Sequence, residues 1–165
     1  MVIAKEDADI LELLREVKDP EVPVVDVVEL GIVRGVETSG GRVLVSITPT
    51  YSGCPALNMI EQDILVTLKS HGYEDVEVKT IYSPAWTTDW LSAETKEKLR
   101  AAGIAPPHTV EAEPLVMLER ARRTVTCPFC GSAATEEKSE FGSTACKAIH
   151  YCNACHQPFD EFKSF

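Results

Sequence analysis

Arg42-Val43-Leu44-Val45-Ser46-Ile47-Thr48-Pro49-Thr50-Tyr51-Ser52-Gly53-Cys54-Pro55-Ala56-Leu57 is the stretch that decides the fold. In its first half Val43, Val45 and Ile47 alternate onto one face, the pattern of a strand with one buried side. Pro55 suits the first position of a helix, where its missing amide hydrogen is not needed. From there Leu57, Ile60, Ile64 and Leu68 recur at helical spacing as far as a glycine stop at Gly72. Cys54 falls at the turn between strand and helix.

Working outward, residues 33–37 read as a partner strand, joined to residues 42–48 through Ser39-Gly40-Gly41, a hairpin signal. A third strand carries Val76, Val78 and Tyr82 and ends at Pro84, which has no amide hydrogen for a ladder. These elements predict an α/β (α+β) domain, a small mixed sheet with helices packed on it. Ahead of it, residues 7–17 predict an amphipathic helix with Ile10, Leu13, Leu14 and Val17 on one face and Asp7 or Asp9 as N-cap. Asp19-Pro20 ends that helix, because the residue before proline avoids the helical region. Residues 83–90 read as a loop holding both tryptophans, after which Ser92 caps a short helix ending near Gly103. Residues 1–105 are therefore read as the first domain, 106–123, with Pro106-Pro107 and a run of acids, as a linker, and 124–165 as a cysteine-rich β unit.

The chain has 165 residues and a formal net charge of −10. Residues 1–105 carry 10 basic against 18 acidic side chains, and residues 106–165 carry 6 against 8. Neither part has the basic face that phosphate binding needs, and Arg120, Arg122 and Arg123 form only a short cluster. No apolar run of signal-peptide or membrane-span length occurs, so a cytoplasmic protein is expected. In that reducing compartment paired CxxC motifs point to metal or redox chemistry more than to disulfides.

Five of the six cysteines lie in the last 39 residues. Cys127-Pro128-Phe129-Cys130 and Cys152-Asn153-Ala154-Cys155 are two CxxC knuckles with 21 residues between them, close to the zinc-ribbon pattern. Residues 135–139 and 145–151 predict paired strands between the knuckles, with Phe159 and Phe162 packed beside the metal. Structural zinc is the leading reading for these four ligands, with iron, an iron-sulfur cluster or a redox dithiol as alternatives. Cys146 has no partner at CxxC spacing and reads as a buried ribbon cysteine, while His150 and His156 read as surface or packing residues.

Cys54 is different, since one thiol cannot close a tetrathiolate site. Placed just before a helix start, with Gly53 removing bulk beside it, it is either a small buried residue or a reactive thiol of low pKa. Asp19 and Glu21 bracket Pro20 in a rigid turn that either brings a carboxylate near Cys54 or faces water. Trp86, Asp89 and Trp90 read either as caps for the sheet or as a partner-binding surface.

Asp19-Pro20-Glu21, Glu29-Leu30-Gly31-Ile32-Val33 and residues 48–55 resemble the metal-sulfur cluster assembly domain of SufT-like proteins and eukaryotic cytosolic iron-sulfur targeting factors. The run from Pro84 to Trp90, the segment Glu140-Phe141-Gly142-Ser143-Thr144-Ala145-Cys146-Lys147 and the terminal Pro158-Phe159-Asp160-Glu161-Phe162-Lys163 narrow this. They look like the accessory proteins of the bacterial phenylacetyl-CoA epoxidase system. The resemblance covers nearly the whole chain, with residues 106–123 the least diagnostic.

That resemblance implies an accessory factor that matures a metal centre and does not turn over substrate. The epoxidase is a di-iron monooxygenase served by a reductase carrying flavin and a 2Fe-2S cluster, so the oxygenase and reductase subunits are the implied partners. The resemblance makes Cys54 the functional thiol, a transient ligand for iron or an iron-sulfur cluster, and maps the motif aspartate to Asp19. One thiol offers few bonds, so further ligands would come from Asp19, from the client, or from a second Cys54 in a homodimer. The competing class is a structural adaptor subunit with an inert Cys54. A thiol enzyme lacks a persuasive base, because His71, the nearest histidine in sequence, lies at a helix end.

Overall fold

In the computed structural model, which describes residues 5–108 and 124–165, the deciding stretch lies at the centre of a three-stranded sheet. β1 (Val33–Ser39) and β2 (Arg42–Ile47) form the antiparallel hairpin, turning at Gly40-Gly41, and β3 (Asp75–Thr80) lies parallel to β2 on its other side. A parallel return needs a crossover. The helix α2 (Leu57–Ser70) supplies it.

Burial follows the alternation. Val43, Val45 and Ile47 are buried on one sheet face, and Ile60, Ile64 and Leu68 are the buried side of α2. On the N-terminal side α1 (Lys5–Leu13) runs into a 3-10 turn, Leu14–Glu16, and buries Ile10 and Leu14, with Val17 just beyond. The helix already includes Lys5, so Asp9 is not its N-cap, and neither is Asp7. Its carboxylate accepts the Thr38 hydroxyl at 2.8 Å, tying α1 to β1. α2 likewise starts later than the sequence predicts: Pro55 precedes it by two residues, in a turn closed by Leu57 N–H on Cys54 O.

The chain divides into two units, Met1–Leu91 and Ser92–Phe165. In the second, α3 (Ala93–Ala101) is capped by Ser92, whose hydroxyl accepts the Thr95 amide at 3.0 Å, as the sequence predicts. β4 (Ile104–Ala105) pairs in parallel with β7 (Pro158–Phe162), which pairs with β6 (Lys147–Cys152) and so with β5 (Thr135–Ser139). Ile104 and Ala105, grouped with the first domain on sequence, thus pair with the ribbon sheet. Two residues of strand carry no hydrophobic period, which is why β4 is invisible in the sequence. Residues 109–123, most of the linker reading, and with them the three clustered arginines, lie outside the described residues. Among the described residues no helix is long and apolar enough to cross a membrane.

Candidate functional site

Two sulfur sites result, one in each unit. Cys54 sits on the turn between β2 and α2, its amide bonded to Tyr51 O at 3.3 Å and its carbonyl accepting Leu57 N–H at 3.3 Å. Gly53 holds φ at +87°, where an L side chain is strained, and a Cβ there would touch nothing within 4 Å. Conformation, not bulk, is what demands glycine before Cys54.

The thiol is half-buried. Burial pushes its pKa above the ordinary value, and the nearby carboxylates of Glu21 and Asp19 push the same way. The Ala56 amide and the Tyr51 side chain, both hydrogen-bonded to the sulfur, pull it down without prevailing. The expectation of a low-pKa thiol is therefore corrected. The late start of α2 accounts for part of it, since Ala56 alone supplies an amide to the sulfur while two carboxylates oppose the thiolate. Tyr51 is a contact that sequence reasoning missed, although it stands three residues before Cys54 in the same turn.

Both acids of the Asp-Pro-Glu turn lie near enough to act on the thiol electrostatically, Glu21 more than Asp19. Asp19 is 5% exposed, and its Oδ1 accepts the amides of Glu21 at 2.8 Å and Val22 at 2.7 Å, which fixes the carboxylate in place.

The tryptophans divide between two uses. Trp86 is buried, its Nε1–H donating to Leu30 O at 2.9 Å. Gly31, at φ +72°, leaves room for both rings: a Cβ there would lie 3.6 Å from Trp86 Nε1 and from Trp90 Cβ. The Glu29-Leu30-Gly31 motif is thus the seat of the tryptophan loop. Trp90 is partly exposed and Asp89 exposed, and of the predicted surface only these two face outward. Trp86→Phe leaves the Leu30 carbonyl buried without this donor, so a loss of about 1–3 kcal/mol in unfolding free energy is expected, measured by urea denaturation.

In the second unit the two knuckles converge. The sulfurs of Cys127, Cys130, Cys152 and Cys155 all lie within 4.8 Å of one another, with Cys127–Cys155 at 3.7 Å and Cys130–Cys152 at 3.6 Å. Zn–S bonds of about 2.3 Å in a tetrahedron give sulfur–sulfur edges of about 3.8 Å. Amides also point at the sulfurs: those of Cys155 and Ala154 at Cys152, of Ser132 at Cys130 and of Gln157 at Cys155. At Cys152 they bring the thiol down to about 7, whereas burial and the neighbouring sulfurs push Cys155 up to about 12. Four sulfurs at this spacing, with amides that stabilise thiolates, fit a single tetrahedral ion. Cys127 and Cys152 are buried with Ala105, Val125 and Phe159, so the inner side of the site is apolar. Phe159 packs there as predicted; Phe162 is buried but lies outside this cluster.

Cys146 is buried apart from the quartet, 3.1 Å from Thr144 Oγ1. His150 is buried, its Nε2 2.8 Å from Glu161 Oε2, and stacks on Phe159. That hydrogen bond has no signal in the sequence, because the two residues meet only through the β6–β7 register, in which His150 pairs with Phe159.

A strand-turn-helix carrying one thiol beside two carboxylates, and a ribbon closed by four, define an assembly-type domain joined to a metal ribbon. Residues 7–80 match the model of the family described as iron-sulfur cluster assembly protein, and residues 111–163 match the PaaD zinc beta ribbon domain. The chain is 42% identical, over 94% of its length and 91% of the relative's, to an Escherichia coli (strain K12) protein provisionally named as a component of 1,2-phenylacetyl-CoA epoxidase. A Porphyromonas gingivalis protein named Fe-S protein maturation auxiliary factor is 35% identical over 56% of this chain and 90% of its own length. The crystal structure of a DUF59 domain from Bacillus anthracis superposes with a TM-score of 0.53 at 28% identity, covering 56% of this chain and 90% of that one. The chain belongs to the PaaD family, an iron-sulfur cluster assembly domain followed by a zinc ribbon. Three of its relatives are named as Fe-S protein maturation auxiliary factors, and the family places the chain in an iron-sulfur maturation or accessory role.

Proposed function

We propose that this protein helps assemble or insert a metal centre of phenylacetyl-CoA epoxidase, with the reductase 2Fe-2S cluster as the favoured client and the oxygenase di-iron site as the alternative. In this reading Cys54 takes the iron or cluster in passing, Asp19 and Glu21 draw the cation toward it, and the ribbon quartet keeps a structural zinc ion. The single observation that carries it is the placement of one half-open thiol beside two carboxylates. Carboxylates that oppose a bare thiolate favour a thiolate bound to a cation. The thiol therefore stays protonated, and so less reactive, until metal arrives.

One sulfur leaves most of a metal's coordination open. The remaining bonds come from Asp19, from the client, or from a second Cys54 across a homodimer. An open coordination sphere is what transfer requires, whereas the closed quartet is suited to keeping its ion.

The raised thiol pKa also favours a second reading, an adaptor subunit in which Cys54 is inert. Slow alkylation does not separate the two, because a protonated thiol is sluggish in either case. Metal content does. In cells co-expressing the epoxidase components, Cys54→Ser is expected to lower iron and acid-labile sulfide in the purified reductase severalfold, or iron in the oxygenase. Unchanged metal in both, with binding to them intact, sinks the assembly reading and leaves the adaptor.

A further inference from the structure

Among the described residues, Arg34 is the arginine that has no carboxylate partner. Of the four arginines among the described residues, Arg15 lies 3.1 Å from Glu12, Arg100 lies 2.5 Å from Glu97 and Arg42 pairs with Glu77. Arg34 makes no ion pair with any described residue, in a chain with 26 acidic side chains. Its side chain lies over Trp90, whose ring centroid is 3.6 Å from the guanidinium carbon.

That contact is built rather than incidental. The β1–β2 register slips between Val33 and Gly35, so Arg34 is the extra residue of a bulge, a device that re-aims a side chain out of its ladder. Trp90 in turn is seated against Gly31 and held on a 3-10 turn, Thr88–Trp90, whose Thr87 cap accepts the Asp89 amide. Stacking uses the flat face of the guanidinium and leaves its N–H donors, which lie in the plane, open at the edge. Asp89, exposed and one residue before Trp90, puts a negative charge in the same turn.

We propose that Arg34 on Trp90, with Asp89 beside it, is a docking point for a protein partner that presents a carboxylate to Arg34 and a lysine or arginine to Asp89. An arginine pinned on an indole has already lost much of its rotamer freedom, so pairing with a carboxylate costs less order than at a free side chain. Arginine and tryptophan are also the residue types in which interface energy concentrates. A nucleic-acid phosphate backbone is the poorer match, because it needs several cations and this surface offers one, flanked by an acid, on a chain of net charge −10.

The inference rests on the reading that the epoxidase components are the clients. It is tested by measuring the affinity of the full chain, with its ribbon loaded with zinc, for the purified reductase and oxygenase components at two salt concentrations. Arg34→Ala and Arg34→Lys are each expected to weaken binding to one component by about 30-fold, the size of an interface hot spot, with unchanged circular dichroism. Arg34→Lys keeps the charge but loses the stacked fork, so a packing role in folding cannot mimic its effect at constant stability. The salt dependence of binding should also be shallower in Arg34→Ala than in wild type. Wild-type affinity in both variants overturns the proposal, as does competition for Arg34 by a single-stranded RNA oligonucleotide, or binding to neither component. In the last case Cys54-dependent metal content of the co-expressed components shows whether the assembly reading stands without this surface.

Discussion

Replacing Cys127 with serine is expected to release the ribbon ion and unfold the unit Ser92–Phe165, the largest loss of stability any single substitution here should produce. Among its described residues the unit buries few apolar side chains, Leu99, Ala105, Val125, Ala148, Phe159 and Phe162 beside three of the cysteines. Its buried cluster at the metal consists of Ala105, Val125, Phe159 and two of the cysteines, with Cys155 packed against it. A small β unit of this kind cannot meet its chain entropy with so few apolar side chains, and a structural zinc supplies on the order of 10–16 kcal/mol of binding free energy that becomes folding free energy. Cys127 is also 1% exposed, so serine there leaves a hydroxyl in an apolar pocket in addition to removing a ligand. Cys130 is exposed and Cys130→Ser removes a ligand alone, so it is expected to weaken metal binding with less damage to packing. Cys146→Ser lies outside the quartet and should leave the metal in place. Metal content per chain by mass spectrometry, followed through a chelator titration with circular dichroism, checks all three. A Cys127→Ser chain that keeps one ion and its β signal would sink the structural-site assignment.

The parts that the sequence makes legible are those set by local period. Alternation in residues 42–47, helical spacing from Leu57 to Leu68 and two CxxC knuckles each determine a structure over a few residues, and each appears where expected. Ends of elements and meetings of distant residues are less visible. Pro55 is compatible with a helix start, but the turn closed by Leu57 N–H on Cys54 O delays the helix by two residues. That small shift matters chemically, since it leaves Cys54 with one amide on its sulfur in place of a full helix terminus. The stack of Arg34 on Trp90 depends on a bulge whose only trace is Gly35, and β4 joins the ribbon with two residues. The resemblance compensates for part of this. It singles out Asp19 as the partner of Cys54, which charge and spacing alone leave open, and the fold brings the two together.

Metal affinity at Cys54 is expected to rise with pH, by about tenfold per unit between pH 6 and 8, because each bound cation displaces one thiol proton. The sign follows from the thiol's position above its ordinary value of 9.0: throughout this window the proton is bound in the free protein and must leave. The carboxylates make the site distinctive, since they act oppositely on the two processes. Asp19→Asn keeps an amide oxygen for the backbone of Glu21 and Val22 but removes a charge, so the thiol should ionise more readily and react faster with iodoacetamide. The same substitution removes an attraction for the cation, so affinity should fall although the thiolate forms more easily. A merely structural Asp19 would not move these two readouts in opposite directions. Cobalt(II) titrated into protein whose ribbon already holds zinc gives the measurement, with thiolate-to-cobalt absorption assigned by difference from Cys54→Ser. A titration independent of pH, or a signal that survives Cys54→Ser, would remove Cys54 from the transfer path and leave the adaptor reading as the better account.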